Sequence, residues 1–323
     1  MQRNRITGVV AMLLVSGVGL VGATPAGATA SGTNGRIAYS RFADASFRHA
    51  DIVSANPDGT GVVKLTRTPD GTYDFNPDWK PDGTEVAFER DTPTGGGIFT
   101  VNADGSNLRQ ITFAGFGDQD PAWSPEGTRI AVERFDIPAG RDGIYVFDAD
   151  GSNPVQVTQS DARGENIEPQ WSPDGTKLVF GIASDTRGHA LFTVNLDGSG
   201  ERRITPWSLD ALHADWSPDG HLIVFQAPDR DDEPPGTSAN VFTIRPDGSH
   251  LAAVTDYQGG GLNAVNAAWS PDGKKIVFVQ LPGSGSFGYA DIFTINADGS
   301  DIRQVTASTF WDFRPDWGTA PPS

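Results

Sequence analysis

WSPDGTKLVF (Trp171–Phe180), followed by LFTVNLDGSGERRIT (Leu191–Thr205), decides how this chain folds. In the first stretch Pro173 presets φ for the second turn position, Asp174 tolerates the third, and Gly175 takes the place where a side chain would clash. The chain therefore reverses between Trp171 and the apolar run that ends at Phe180. The second stretch repeats the scheme: an apolar strand, an Asp-Gly turn, and a short strand ending in Ile204-Thr205.

Both words recur along the chain. The first returns as DWKPDGTEVAF at Trp79, AWSPEGTRIAV at Trp123, DWSPDGHLIVF at Trp216 and AWSPDGKKIVF at Trp269. The second occurs six times, its Asp-Gly marker running from Gly59 to Gly299, which is 240 residues over five intervals, or 48 per unit. Four strands in a unit of that length give the content of a propeller blade, and nothing in the Val, Ile, Phe and Thr runs shows a 3.6-residue period. The expected fold is all-β, a six-bladed β-propeller of four-stranded blades. RPDWG (Arg314–Gly318) is then the innermost strand of a blade whose other strands, GRIAYS, DIVSANP and VVKLT, lie near residues 35–66, so the N- and C-terminal strands pair to close the ring.

Arg3 and Arg5, the apolar run from Gly8 to Val21 and the small-residue tract ending in Ala28-Thr29-Ala30 read as a secretory signal peptide over residues 1–30, leaving 31–323 as one propeller domain. The run is too short and Gly-rich for a stable membrane span. With no Cys, there is neither a disulfide framework nor a lipid-anchoring cysteine. The formal net charge of −17 becomes −19 once two arginines leave with the leader, which disfavours nucleic acid and anionic membranes as partners. The expected product is an exported, soluble monomer, extracellular or periplasmic within the cell envelope.

With these words in place, the chain resembles the WD40-like (PD40) repeat proteins of the TolB-type six-bladed β-propeller family over residues 35–318. The resemblance implies a fold used for protein binding, for gating peptidases and in some enzymes. The resemblance covers the propeller alone, so neither the α/β domain that precedes it in TolB nor the catalytic domain that follows it in prolyl-oligopeptidase-type peptidases is expected.

The Pro-Asp-Gly and Asn-x-Asp-Gly turns fall at one end of the blades and the irregular loops at the other, so function is expected on the loop face. DADGSN (Asp148–Asn153) fails the EF-hand template, so the turn aspartates read as hairpin residues. Three residues before each blade Trp stand Asn76, Asp120, Glu168, His213, Asn266 and Arg314, a ring of polar groups at the channel mouth. Asp120, Glu168 and His213 are candidate ligands for a divalent cation in the central channel, and Arg314 a carboxylate clamp. Six Trp occupy the repeat position and read as core. Trp207 and Trp311, with Tyr73 and Phe116, form a candidate aromatic patch.

No nucleophile elbow, zinc-protease helix, phosphate loop or Cys nucleophile is present, so no catalytic residue is assigned and no cofactor is predicted. The leading reading is a non-catalytic scaffold for an unknown protein or cell-surface ligand. The rival is a metal-assisted polysaccharide lyase or hydrolase with its site at the channel mouth.

Overall fold

Each Trp-bearing word that carries a Pro-Asp-Gly-type turn becomes the entering strand of an antiparallel meander, and its turn leads into a second strand that is buried along its middle. The computed structural model describes residues 32–42, 47–112, 117–135, 140–228, 238–258, 261–282 and 289–321. The signal-peptide reading of residues 1–30 and the candidate Phe116 lie outside these residues.

The strands are β1 (Asn34–Phe42), β2 (Ala50–Ala55), β3 (Val63–Lys64), β4 (Tyr73–Trp79), β5 (Glu85–Asp91), β6 (Gly97–Asn102), β7 (Arg109–Gln110), β8 (Gly117–Trp123), β9 (Arg129–Phe135), β10 (Gly143–Asp148), β11 (Val155–Gln156) and β12 (Glu165–Trp171). There follow β13 (Lys177–Ser184), β14 (Gly188–Asn195), β15 (Arg202–Arg203), β16 (Leu212–Trp216), β17 (Ile223–Pro228), β18 (Ala239–Ile244), β19 (Ala252–Ala253), β20 (Leu262–Trp269), β21 (Lys275–Pro282), β22 (Asp291–Asn296), β23 (Arg303–Gln304) and β24 (Asp312–Thr319).

The chain is an all-β propeller, but the expected division into six four-stranded blades is corrected. Among the described residues four sheets are separate four-stranded blades, β8–β11, β12–β15, β16–β19 and β20–β23, while β1–β7 and β24 form one eight-stranded sheet. The join is a parallel pairing of Ala50 on β2 with Tyr73 on β4, supported by hydrogen bonds from Gly71 N to Arg48 O (2.7 Å) and from Ala50 N to Thr72 O (3.4 Å). Counting repeated words cannot reveal a backbone bond between units, which is why the sequence reading missed it.

Within that sheet β1 pairs antiparallel with β24, placing Ile37 opposite Trp317 and Ala38 opposite Asp316. The Trp-bearing strands β4, β8, β12, β16, β20 and β24 follow one another around the axis, each touching the next and β24 touching β4. All six repeat-position Trp are buried. Trp123 packs between Ala87, Ile98 and Ile111 of the preceding unit and Ile130, Val132 and Phe147 of its own, so the core lies between units.

The Thr that ends each second word has a fixed task. Thr66, Thr112, Thr158, Thr205, Thr255 and Thr306 accept hydrogen bonds through Oγ1 from the backbone N–H groups of Ile52, Ile98, Ile144, Leu191, Val241 and Ile292, at 2.8–3.1 Å. Each tie fastens the edge of the third strand, whose N–H would otherwise lack a partner in the short outer strand. The turn aspartates act locally: in SPDG, Asp174 Oδ1 accepts the Thr176 N–H at 3.0 Å, and Gly175 adopts φ 67°.

Candidate functional site

The polar residues three places before each Trp share one unusual backbone state. Asn76, Asp120, Glu168, His213, Asn266 and Arg314 all have φ between 52° and 60°. Non-glycine residues avoid this left-handed region, at a cost of about 1–2 kcal/mol each. The cause is a β-bulge repeated in every unit: Phe75 pairs with Glu89 and Asp78 with Ala87, so Asn76 and Pro77 together oppose Phe88 alone. The same register shift occurs at Gln119/Ala122, Ile167/Gln170, Leu212/Asp215 and Val265/Ala268. A bulge re-aims a side chain, and here it gathers the six polar groups around the axis.

The gathered groups divide into two halves. In one, Arg314 Nη1 donates to Asn76 Oδ1, and Asn76 Nδ2 donates to Glu89 Oε2 (2.7 Å) and Asp120 Oδ1 (2.6 Å). Asp120 also hydrogen-bonds the side chain of Glu133. In the other half, Glu168 Oε2 accepts the backbone N–H of His213 at 3.0 Å, and His213 Nδ1 lies 3.3 Å from Glu168 Oε1. The Asn266 N–H donates to Gln226 Oε1 at 2.7 Å. Except for half-buried Arg314, the ring is buried.

Electrostatics follow from that burial. Glu89, Glu133 and Glu168 are pushed well above the ordinary carboxyl range, first by loss of solvation and then by neighbouring carboxylates. Burial, reinforced by the Arg314 charge, holds His213 well below the ordinary imidazole value, so it is neutral at pH 7. Burial also lowers the Arg314 guanidinium, against the pull of Asp120, Glu89, Glu168 and Glu133.

Glu89 and Glu133 were not singled out from the sequence. Their signal was present: in VAFE and IAVE an acid follows the apolar run of the second strand, where the other units carry Ser40, Gly181, Gln226 and Val279.

Among the described residues no group of three or more His, Asp or Glu is arranged to hold a metal ion. Asp120 turns toward Asn76 and Glu133 while Glu168 and His213 pair with each other.

The aromatic candidates separate. Tyr73 and Trp311 belong to one cluster beside the mouth, linked through Phe42 and Phe47: Phe42 lies 6.4 Å from Tyr73 and 5.0 Å from Phe47, and Phe47 lies 5.8 Å from Trp311. Phe75 and Phe313, adjacent in sequence to Asn76 and Arg314, complete it at 5.5 Å from each other. Tyr73 is buried, whereas Phe47, Trp311 and Phe313 keep part of their surface exposed. Trp207 sits elsewhere, in a short 3-10 turn against Phe192 at 5.9 Å.

Comparison with known proteins places the chain among propellers. A family model described as the TolB beta propeller domain, PD40, matches residues 118–234. A protein TolB homolog of Chlorobium luteolum is 30% identical over 271 residues, covering 84% of this chain and 57% of that protein. TolB from Acinetobacter baumannii superimposes with a TM-score of 0.72 at 18% identity, covering 88% of this chain and 67% of that one. An oligogalacturonate lyase in complex with manganese is more distant, with a TM-score of 0.54 at 17% identity over 86% of this chain and 75% of that one. The chain spans about half the length of the curated relatives it matches. No helix among the described residues is long and apolar enough to cross a membrane.

Proposed function

Since the chain belongs to the TolB-like PD40 propeller family, we propose that it is an exported binding module that engages a protein partner through its loop face and channel mouth. One observation carries the reading: six polar side chains are held in a disfavoured backbone conformation at the same place in every unit. Strain repeated in this way, where the strands of a ring converge, is of the kind that gathers at functional sites. The half-exposed Phe47, Trp311 and Phe313 beside the ring add the apolar area that anchors a partner. Export rests on the leader read in residues 1–30.

The lyase alternative is not favoured. Its structural neighbours share only the fold at their level of identity, and the carboxylates and His213 do not converge as metal ligands among the described residues.

Site-specific photo-crosslinking in the exporting cell tests the proposal. A crosslinker replacing exposed Arg48 on the loop face is expected to trap a discrete protein partner, and one replacing exposed Asp150 on the repeated-turn face is not. The reverse pattern would overturn the assignment of the loop face.

A further inference from the structure

The two halves of the mouth are unequally satisfied. On the Arg314 side the polar atoms form a connected chain through Asn76 to Glu89 and Asp120. On the other side Glu168 Oε1 and His213 Nδ1 lie 3.3 Å apart without forming a hydrogen bond, and His213 Nε2 and Asn266 Nδ2 have no hydrogen-bond partner in the protein, although Glu168 and His213 are each only 1% exposed. An unpartnered polar atom at that depth is costly, and their recurrence on the neighbouring strands β12, β16 and β20 marks a place for a guest.

Charge says what kind of guest. The carboxyl groups of Asp120, Glu133 and Glu168 come from β8, β9 and β12, and each acts electrostatically on the others; Glu89 on β5 adds a fourth. The facing cation is Arg314 on β24, one guanidinium against four acids. Glu165 and Asp91, which act on Glu133 and Glu89, and His189, which acts on His213, complete the set of titratable neighbours.

We propose that Glu168 and His213, together with Glu133 from the adjoining half of the mouth, form a receptor for an alkylammonium group, the side chain of a lysine presented by the partner segment. The proposal rests on reading the mouth as a partner-binding site and specifies what that site takes. An ammonium supplies three N–H donors, which suit Glu168 Oε1, a second carboxylate and the acceptor nitrogen of neutral His213. A guanidinium fits less well, because it prefers both oxygens of one carboxylate and Glu168 Oε2 already accepts the His213 N–H. A carboxylate guest would meet four acids and a single cation, Arg314, whose guanidinium already donates to Asn76. An entering ammonium favours the ionised form of carboxyls that burial pushes upward, so binding releases protons and affinity strengthens as pH rises.

The experiment is an NMR titration of the full chain with Nα-acetyl-lysinamide, read at the His213 ring among the five histidines of the sequence. Saturable movement of the His213 signals at millimolar probe is expected, with binding at least tenfold weaker for Nα-acetyl-norleucinamide, weaker for Nα-acetyl-argininamide, and tighter at pH 8 than at pH 6. Glu168→Gln, which keeps an acceptor for the His213 N–H, is expected to lose tenfold or more in lysinamide affinity while its unfolding midpoint stays within a few degrees. Equal response to norleucinamide, preference for argininamide, or no movement of His213 at 50-fold higher probe would overturn the ammonium site. Because these probes contain no partner, such a failure leaves the crosslinking result from Arg48 standing on its own.

Discussion

The backbone N–H of Trp79 donates to Oδ2 of Asp316 at 2.7 Å, joining residues 237 apart in sequence. The same clamp recurs from Trp123 to Asp78 at 2.6 Å and from Trp269 to Asp215 at 2.8 Å. In each case a buried aspartate just before one Trp holds the backbone of the next, so the acid works as a strap between neighbouring units.

The strap is pH-dependent. Burial raises Asp316 from the ordinary 3.8 to about 7, and raises Asp78 in the same direction, with Asp316 and Asp215 adding repulsion. Between pH 4 and 7 the folded protein keeps a proton on Asp316 that the unfolded chain releases, so stability falls as pH rises through that window and levels off above it. Glu89, Glu133 and Glu168 act with the same sign. The turn aspartates, whose pKa values are lowered by local hydrogen bonds, lose their contribution only at still lower pH. Thermal unfolding between pH 4.5 and 8 is expected to show the highest midpoint near pH 5. Asp316→Asn retains an acceptor for Trp79 and is expected to flatten the slope by up to ~1.4 kcal/mol per pH unit; an unchanged slope would show that Asp316 does not titrate in this range.

Gly318 is a second feature of the closing strand. A Cβ there would lie 2.4 Å from Cγ of Trp79 and 2.7 Å from its Cδ1. The corresponding places in other units carry Lys80, Ser124, Ser172, Ser217 and Ser270, so close approach is peculiar to the junction of β24 with β4. Gly318→Ala is expected to cost about 1–3 kcal/mol in urea unfolding, because the indole must move.

Thr112→Val replaces a hydroxyl by a methyl of similar size and leaves the buried Ile98 N–H without its acceptor at 3.0 Å. A loss of about 1–2 kcal/mol is expected in the same assay. The equivalent changes at Thr158 and Thr205 should cost similar amounts, since the tie has the same form in each unit.

These features differ in how far the sequence disclosed them. Strand order, the buried Trp and the turn aspartates were legible because each is one choice made repeatedly, and repetition separates signal from local accident. The ring of Asn76, Asp120, Glu168, His213, Asn266 and Arg314 was located by the same spacing. Its left-handed backbone had only an indirect signal, the prolines Pro77, Pro121, Pro169 and Pro315 that follow four of the six positions inside their strands, where proline marks an edge or a bulge. The hydrogen bond between Asp120 and Glu133, and the turning of Glu168 toward the backbone of His213, depend on side-chain directions across neighbouring strands, which spacing along one strand does not encode. Nor did any repeat foretell the bond of Ala50 to Tyr73 that merges two units into one sheet.

The central claim is that the mouth residues are kept for a ligand at a cost to the fold, and His213 isolates it. His213 has φ 54°, is 1% exposed, and has no hydrogen-bond partner at either ring nitrogen. Asn, which tolerates this backbone region better, already stands at the same place as Asn76 and Asn266. The most direct measurement is the thermal unfolding midpoint of His213→Asn against the parent chain. Relief of roughly 1 kcal/mol, equivalent to about 2–4 °C, is expected to leave the variant as stable or more stable. A midpoint lower by several degrees would mean that the fold depends on the imidazole, and would contradict the claim.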